Sequence, residues 1–250
     1  MHITSESTTD GISERHFTVG DIPGILWSPA AASGAQPLVL IAHGGGQHKS
    51  APPVLGRARR YVTGCGFSVV AIDAPGHGDR PRSAADEAFG TQLSALFAAG
   101  NRGPIAAHVG TYNATLAERA VRDWQATLDA LDGADGVPHG AVGLYGASMG
   151  GAVGVPLVAV DSRIRAAVVG LVGSESVREA ASQITVPVQF LMQWNDELVP
   201  RESSLAVFDA FASEEKSLHA NRGGHRDLPL FEVDNSELFF RRHLTPAQSA

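Results

Sequence analysis

Ser148 stands at the centre of a G-x-S-x-G motif at positions 146–150. An apolar run at 140–145 precedes the motif, and a run of small residues at 150–160 follows it. This order predicts a strand, a sharp turn and a helix, an arrangement in which strained backbone exposes the serine Oγ above the sheet. Side chains at positions 146 and 150 would collide with the neighbouring strand or helix. The helix N-terminus also favours a developing anion near Ser148.

A serine hydroxyl is a weak nucleophile, so it needs a base to take its proton and a carboxylate to orient that base. The candidate acid is Asp196, in the loop after a predicted strand at 186–193, and the adjacent Glu197 is the alternative. The candidate base is His225, which follows two glycines after the last predicted strand, so that its ring can swing over the sheet edge. In this class of α/β fold the triad residues follow the same chain order: serine, acid, histidine.

The chain has ten histidines, and position along the chain separates His225 from the others. His219 lies within or at the end of the last predicted strand, and His243 lies on the last predicted helix. Neither position suits a catalytic base as well as the glycine-rich turn that carries His225.

An acyl-transfer reaction also needs backbone N–H donors for the oxyanion. Met149, directly after the candidate nucleophile, is expected to supply one donor. The other is expected from the glycine loop at 43–46, after a predicted strand at 37–42, with Gly45 as the first choice and Gly46 as the second. A phosphate-binding loop is not favoured, because neither a G-x-G-x-x-G pattern nor a Walker lysine follows that strand.

The single cysteine and three further histidines are weaker candidates for a role in catalysis or metal binding. Cys65, the only cysteine, lies between a predicted helix and a predicted strand, away from any base, and we expect a packed residue there. One cysteine allows no intrachain disulfide, which fits a reducing compartment. His43, His48 and His77 could be imagined as metal ligands, but two of them lie in glycine turns that the fold explains. We therefore expect no metal and no cofactor.

Composition narrows the possible partners. The net charge is −7, with 44% hydrophobic and 18% charged residues, which is ordinary for a globular protein with a sizeable core. A mildly acidic chain without a basic cluster is a poor candidate for binding nucleic acid. Residues 1–11 contain no apolar signal-like segment, and no run reaches the roughly 20 apolar residues of a membrane span. We expect a cytoplasmic protein that acts on a small-molecule acyl substrate, and the oligomeric state stays open.

Predicted strands alternate with predicted helices along the chain. This alternation predicts an α/β fold with a mostly parallel sheet and helices on both faces. In such sheets ligands bind beyond the carboxyl ends of the strands. The loops of interest all follow predicted strands, at 43–46, 73–78, 146–150, 194–199 and 221–226.

The sequence contains no repeat, linker or low-complexity block, which predicts one domain over residues 1–250. Residues 1–13 are polar and are expected to be flexible, and a hairpin is predicted within 15–28. Residues 81–109 are expected to form an irregular insertion near the site: Ala/Leu runs around Ala84 to Ala99 suggest a helix, but residues 100–104 break it.

These residues, in this order, resemble those of α/β hydrolases of the dienelactone-hydrolase and small serine-esterase type. The matching positions are 43–46, 73–78, 146–150, Asp196 and His225. The resemblance implies an eight-stranded, mostly parallel sheet and acyl-enzyme chemistry. The chain departs from strict dienelactone hydrolases in having serine instead of cysteine at the motif. Its segment between Leu171 and Val186, where many relatives carry a lid, is short, which implies a minimal lid.

We therefore predict a serine hydrolase that cleaves a carboxylic ester, thioester or lactone. Ser148 is the predicted nucleophile, His225 the base and Asp196 the residue that orients it, with Gly45 and Met149 binding the oxyanion. Peptidase, C–C bond hydrolase or acyltransferase chemistry on the same triad is the nearest alternative. A non-catalytic binding protein on a hydrolase scaffold is the alternative from another class.

Overall fold

The computed structural model describes residues 1–31, 34–100, 103–134 and 139–245. Its strands are β1 (His2–Thr9), β2 (Ile12–Val19), β3 (Ile22–Pro29), β4 (Gln36–Ala42), β5 (Ser68–Ile72), β6 (His139–Ala147), β7 (Ile164–Gly170), β8 (Val188–Gln193) and β9 (Lys216–Asn221). They form one nine-stranded sheet in the order β1-β2-β3-β5-β4-β6-β7-β8-β9. The strands from β5 to β9 in this order pair in parallel, whereas β1, β2 and β3 pair antiparallel.

Helices cover both faces of the sheet. They are α1 (Pro52–Cys65), α2 (Ala84–Ala98), α3 (Ile105–Asp132), α4 (Met149–Val160), α5 (Glu175–Ala181), α6 (Arg201–Ala210) and α7 (Phe231–Leu244). One core contains residues of α1 and α7, and the other contains residues of α3, α4, α5 and α6. None of these described helices combines the length and apolar character that crossing a bilayer requires.

Strand β4 explains how one sheet serves two cores. Leu38 and Leu40 pack into the core under α3 and α4, while Val39 and Ile41 pack into the core under α1 and α7. All four side chains are buried. A parallel strand covered on both faces is therefore apolar at consecutive positions, as the sequence predicted.

Parallel pairing gathers the loops of interest at one edge of the sheet. Strand β4 leads into the glycine loop at 43–46, β5 into the loop at 73–78, and β6 into the turn with Ser148. Strand β8 leads into the loop with Asp196, and β9 into the loop with His225. This is the edge at which ligands bind in open α/β sheets.

The N-terminal segment differs from the prediction. Residues His2–Thr9, expected to be flexible within 1–13, form β1 and pair with β2, adding a ninth strand to the eight expected. All eight side chains of β1 are exposed. A strand without a buried face needs no alternation of apolar and polar residues, so hydrophobic periodicity does not predict it.

The expected irregular insertion at 81–109 is also corrected, because its described residues are largely helical. Ser83 caps α2: its Oγ accepts the Asp86 N–H at 3.3 Å, and the Asp86 carboxylate accepts the Ser83 N–H at 2.8 Å. Helix α3 then begins at Ile105, within the segment that was expected to be irregular. The interruption between α2 and α3 agrees with the predicted break at Gly100 and Pro104. That the chain forms one domain stays a prediction.

Candidate active site

Ser148 occupies a sharp turn between β6 and α4. Its backbone has φ 57° and ψ −124°, a conformation that residues with a side chain rarely adopt. The turn is held by the Ser148 N–H, which donates to the Gly170 oxygen at 2.9 Å, and by the Ala152 N–H, which donates to the Ser148 oxygen at 2.9 Å. The backbone thus holds the serine in a strained position at the carboxyl end of β6.

The glycines on either side of Ser148 allow this turn, as the sequence predicted. A Cβ at Gly146 would lie 2.3 Å from the Gly150 oxygen. A Cβ at Gly150 would lie 2.0 Å from the backbone oxygen of Ala42, in β4. Since the obstacles are backbone atoms, no side-chain rearrangement could make room.

The three residues of the predicted triad meet in the structure. His225 Nε2 lies 2.8 Å from Ser148 Oγ, and His225 Nδ1 lies 2.8 Å from Asp196 Oδ2. His225 is only 9% exposed. The other two histidines considered for the role lie elsewhere: His219 contacts Glu232, and His243 lies near Glu215.

Asp196 is held so that its carboxylate stays charged. One oxygen accepts the N–H groups of Leu198 and Val199, each at 2.8 Å, and the other faces His225. Burial alone would raise the pKa of Asp196, but the hydrogen bonds from His225 and from these two N–H groups outweigh it and hold the pKa below its usual value. An ionised carboxylate at His225 Nδ1 keeps the proton on that nitrogen and leaves Nε2 free to accept one.

Glu197, the alternative acid, contacts the same histidine at a different atom. Its Oε2 accepts the backbone N–H of His225 at 2.9 Å. The structure therefore places Asp196 at the ring and Glu197 at the main chain.

Sequence reasoning did not foresee how closely the loops of Asp196 and His225 are joined. The Trp194 N–H donates to the Asn221 oxygen at 2.7 Å, and the Asn195 N–H donates to the Gly223 oxygen at 3.1 Å. Gln193, at the end of β8, donates from Nε2 to the oxygen of Gly224 at 3.1 Å. The sign of this contact in the sequence was a polar glutamine at the end of an otherwise apolar strand segment.

The predicted oxyanion loop lies beside the start of α4. A Cβ at Gly45 would lie 3.8 Å from Met149 Cβ, whereas one at Gly46 would meet nothing within 4 Å. The Gly45 N–H donates to no protein group within the described part of the chain. The structure therefore brings Gly45, the first choice, closer to Met149 than Gly46.

The sequence model of the Alpha/beta hydrolase family matches residues 38–248. The chain belongs to this family. No curated protein matches the sequence of this α/β hydrolase.

Solved structures of esterases resemble the hydrolase over nearly its full length. A cold-adapted esterase from an Arctic intertidal metagenomic library is 31% identical, with a TM-score of 0.74, covering 96% of this chain and 98% of that one. Two structures share the fold at lower identity. Acetyl xylan esterase 1 from Thermoanaerobacterium sp. JW/SL YS485 is 16% identical, with a TM-score of 0.69, covering 96% of this chain and 87% of that one. Dienelactone hydrolase from Anabaena variabilis is 18% identical, with a TM-score of 0.64, covering 98% and 100%.

Buried polar contacts fix the glycine loop of the hydrolase against the loop after β5. His43 Nδ1 donates to the Gly44 oxygen at 3.0 Å, and its Nε2 accepts the Ala74 N–H at 3.1 Å. Burial lowers the pKa of His43 to about 4, so the ring is neutral at neutral pH, as the accepted hydrogen bond requires. Lys49 reinforces the junction: its Nζ lies 2.7 Å from Asp73 Oδ2, and its N–H donates to Asp73 Oδ1 at 2.8 Å.

The histidines considered as metal ligands make other contacts: His77 Nδ1 donates to the Pro75 oxygen at 3.0 Å, and His48 Nδ1 accepts the Ser50 N–H at 3.2 Å. His43 is used in loop packing, and the His77 ring lies 5.4 Å from it. Within the described ranges, no group of three or more His, Cys, Asp or Glu side chains could hold a metal ion.

Proposed function

We propose that this α/β hydrolase is a serine esterase that cleaves a small carboxylic ester, thioester or lactone through an acyl-enzyme. The observation that carries the proposal is the continuous chain of hydrogen bonds from Asp196 through His225 to Ser148, with both bonds at 2.8 Å. This is within the distance at which a positioned base can take a proton from a nucleophile. Membership of the family and the 31% identity to a cold-adapted esterase support ester hydrolysis.

In the first step, Ser148 Oγ attacks the acyl carbon as His225 Nε2 takes the hydroxyl proton. Asp196 accepts the hydrogen bond from His225 Nδ1 and stabilises the imidazolium that forms. The negative charge moves to the carbonyl oxygen, where the N–H groups of Gly45 and Met149 bind it. His225 then gives its proton to the leaving alcohol or thiol, and the acyl group stays on Ser148.

In the second step, water replaces the leaving group. His225 takes a proton from the water, and the resulting hydroxide attacks the acyl carbon of the ester on Ser148. Collapse of the second tetrahedral intermediate returns the proton to Ser148 Oγ and releases the carboxylic acid. The residues named are sufficient for both steps, and neither step needs a cofactor or a metal.

Replacing the nucleophile tests the proposal. Ser148→Ala should lower kcat for p-nitrophenyl acetate by roughly 10⁴-fold or more, the scale of triad removal in general. The circular dichroism spectrum and Tm should stay close to those of the native protein. Ser94→Ala, at an exposed position on α2, is a matched control that should keep native activity.

Two further measurements complete the test. A fluorophosphonate probe should label the native protein and not Ser148→Ala, whereas a non-catalytic binding protein would not be labelled at all. Product analysis with water and an added alcohol separates hydrolysis from acyl transfer. Native activity in Ser148→Ala would disprove the proposed function.

A further inference from the structure

The peptide bond between Gly224 and His225 is held at both of its polar atoms. Gln193 Nε2 donates to the Gly224 oxygen at 3.1 Å, and Glu197 Oε2 accepts the His225 N–H at 2.9 Å. The oxygen and the N–H of a trans peptide lie in one rigid plane and point away from each other on opposite sides of the C–N bond. Two bonds on opposite sides therefore fix the rotation of that plane.

Both side chains come from the segment that carries Asp196. Gln193 is the last residue of β8 and is 1% exposed, and Glu197 directly follows Asp196. One short stretch of chain thus contacts the ring of His225 through Asp196 and the peptide that joins Gly224 to His225 through the other two side chains.

The glycines before His225 fit this arrangement. A Cβ at Gly224 would lie 2.7 Å from Glu197 Oε2, so a side chain there would displace the carboxylate from the peptide. Gly223 has φ 133°, and the Gly224 N–H donates to Asp227 Oδ2 at 2.8 Å. The backbone before His225 is therefore shaped to receive these contacts.

Resting on the proposed function, we propose that Gln193 and Glu197 are positioning residues that orient the imidazole of His225. The peptide plane sets the direction of the His225 Cα–Cβ bond and hence where Nε2 lies. The ring has to satisfy Ser148 and Asp196 at once, with 2.8 Å to each. A misplacement of about 1 Å at a reacting group can cost about 100-fold in rate. Neither positioning residue touches the reacting atoms, so their loss should lower kcat and leave KM unchanged.

The first test removes the amide that holds the Gly224 oxygen. Gln193→Leu should lower kcat roughly ten- to hundredfold, with KM within about twofold of the native value. The matched control is Gln189→Leu. Gln189 lies on the same strand and is 2% exposed, and its buried Nε2 has no hydrogen-bond partner among the described residues, so its loss breaks no contact to the peptide. This control should keep kcat within about twofold of native, because His225 is undisturbed.

The second test uses rescue by a similar side chain. Glu197→Gln keeps a side-chain carbonyl that can accept the His225 N–H, whereas Glu197→Leu removes the acceptor. We expect kcat within about threefold of native for the glutamine variant and roughly tenfold or more below native for the leucine variant. The rate of fluorophosphonate labelling of Ser148 should fall in parallel, because that reaction also needs an oriented base.

Several outcomes would overturn the inference. They are native kcat in Gln193→Leu, an equal loss in Gln189→Leu, equal losses in the two Glu197 variants, or losses that appear in KM alone. If Gln193→Leu does not fold, the Glu197 pair decides, since that side chain is exposed. Native activity in Ser148→Ala would refute the proposed function. An inactive Ser148→Ala together with native-like positioning variants would refute the inference alone.

Discussion

The neighbouring carboxylates of Asp196 and Glu197 differ in the atoms they bind. Asp196 accepts three hydrogen bonds: two from backbone N–H groups and one from the ring of His225. Glu197 accepts the main-chain N–H of His225. An amide can replace a carboxylate where only an acceptor is needed, but not where both oxygens must accept.

Asp196→Asn should therefore be severe. The amide oxygen would stay on the two N–H groups of Leu198 and Val199, which turns the NH₂ toward His225 Nδ1. His225 would then carry its proton on Nε2 and could not accept the Ser148 proton, and kcat should fall by about 10⁴-fold. Steady-state kinetics on an activated ester, beside Glu197→Gln as the mild variant, checks this. The opposite ranking of the two variants would transfer the acid role to Glu197.

Residue types and chain order were enough to propose Ser148, Asp196 and His225, because each role accepts few side chains and each position follows a strand. The contacts of Gln193 and Glu197 could not be proposed in the same way. A side chain that binds a peptide group leaves no motif, because every peptide offers the same N–H and oxygen.

At the scale of elements, the loops after β4 and β5 are locked together through His43. Its neutral ring accepts the Ala74 N–H, and the nearby titratable groups are His77, Asp73 and His48. Protonation would add a buried charge and remove the acceptor. The stability of this junction is therefore linked to pH.

The sign of this linkage follows from the direction of the shift. The pKa of His43 is about 4 in the folded protein, below the ordinary value of 6.5, so between these values the unfolded chain binds the extra proton. Stability should fall as pH drops from about 6.5 to about 4, by about 3 kcal/mol in total from this group. Urea unfolding at several pH values, native against His43→Asn, measures it. Equal pH dependence in the two proteins would contradict the prediction.

The weak prediction of β1 and α2 from the sequence has one physical reason. The strands predicted at 37–42, 140–145 and 186–193 lie close to the observed β4, β6 and β8, because burial leaves an apolar pattern. Strand β1 has no buried residue, and in α2 only Asp86 is buried. Elements stabilised mainly by backbone hydrogen bonds or by caps leave little trace in hydrophobic periodicity.

At the scale of the whole molecule, the sheet separates the site from its antiparallel edge. The three residues of the proposed triad follow β6, β8 and β9, whereas β1, β2 and β3 extend the sheet on the other side. Within the antiparallel part, β2 carries buried side chains such as Phe17, and β1 carries none. Mutations in the antiparallel edge should therefore change the free energy of unfolding without changing catalytic activity.

Deletion of residues 2–9 tests this separation. The deletion removes β1 and leaves the pairing of β2 with β3 intact, from Ile12↔Pro29 to Val19↔Ile22. Water can replace the hydrogen bonds of an edge strand, so the free energy of unfolding should fall by only about 1–2 kcal/mol. By contrast, Phe17→Ala should cost about 3–5 kcal/mol, because it empties a buried site. The truncated protein should keep kcat/KM within about twofold of native, since no reacting group moves. Urea unfolding and kinetics at a temperature where both variants are folded give the two readouts. A tenfold loss of kcat/KM in the truncated protein would mean that the far edge of the sheet helps to shape the site.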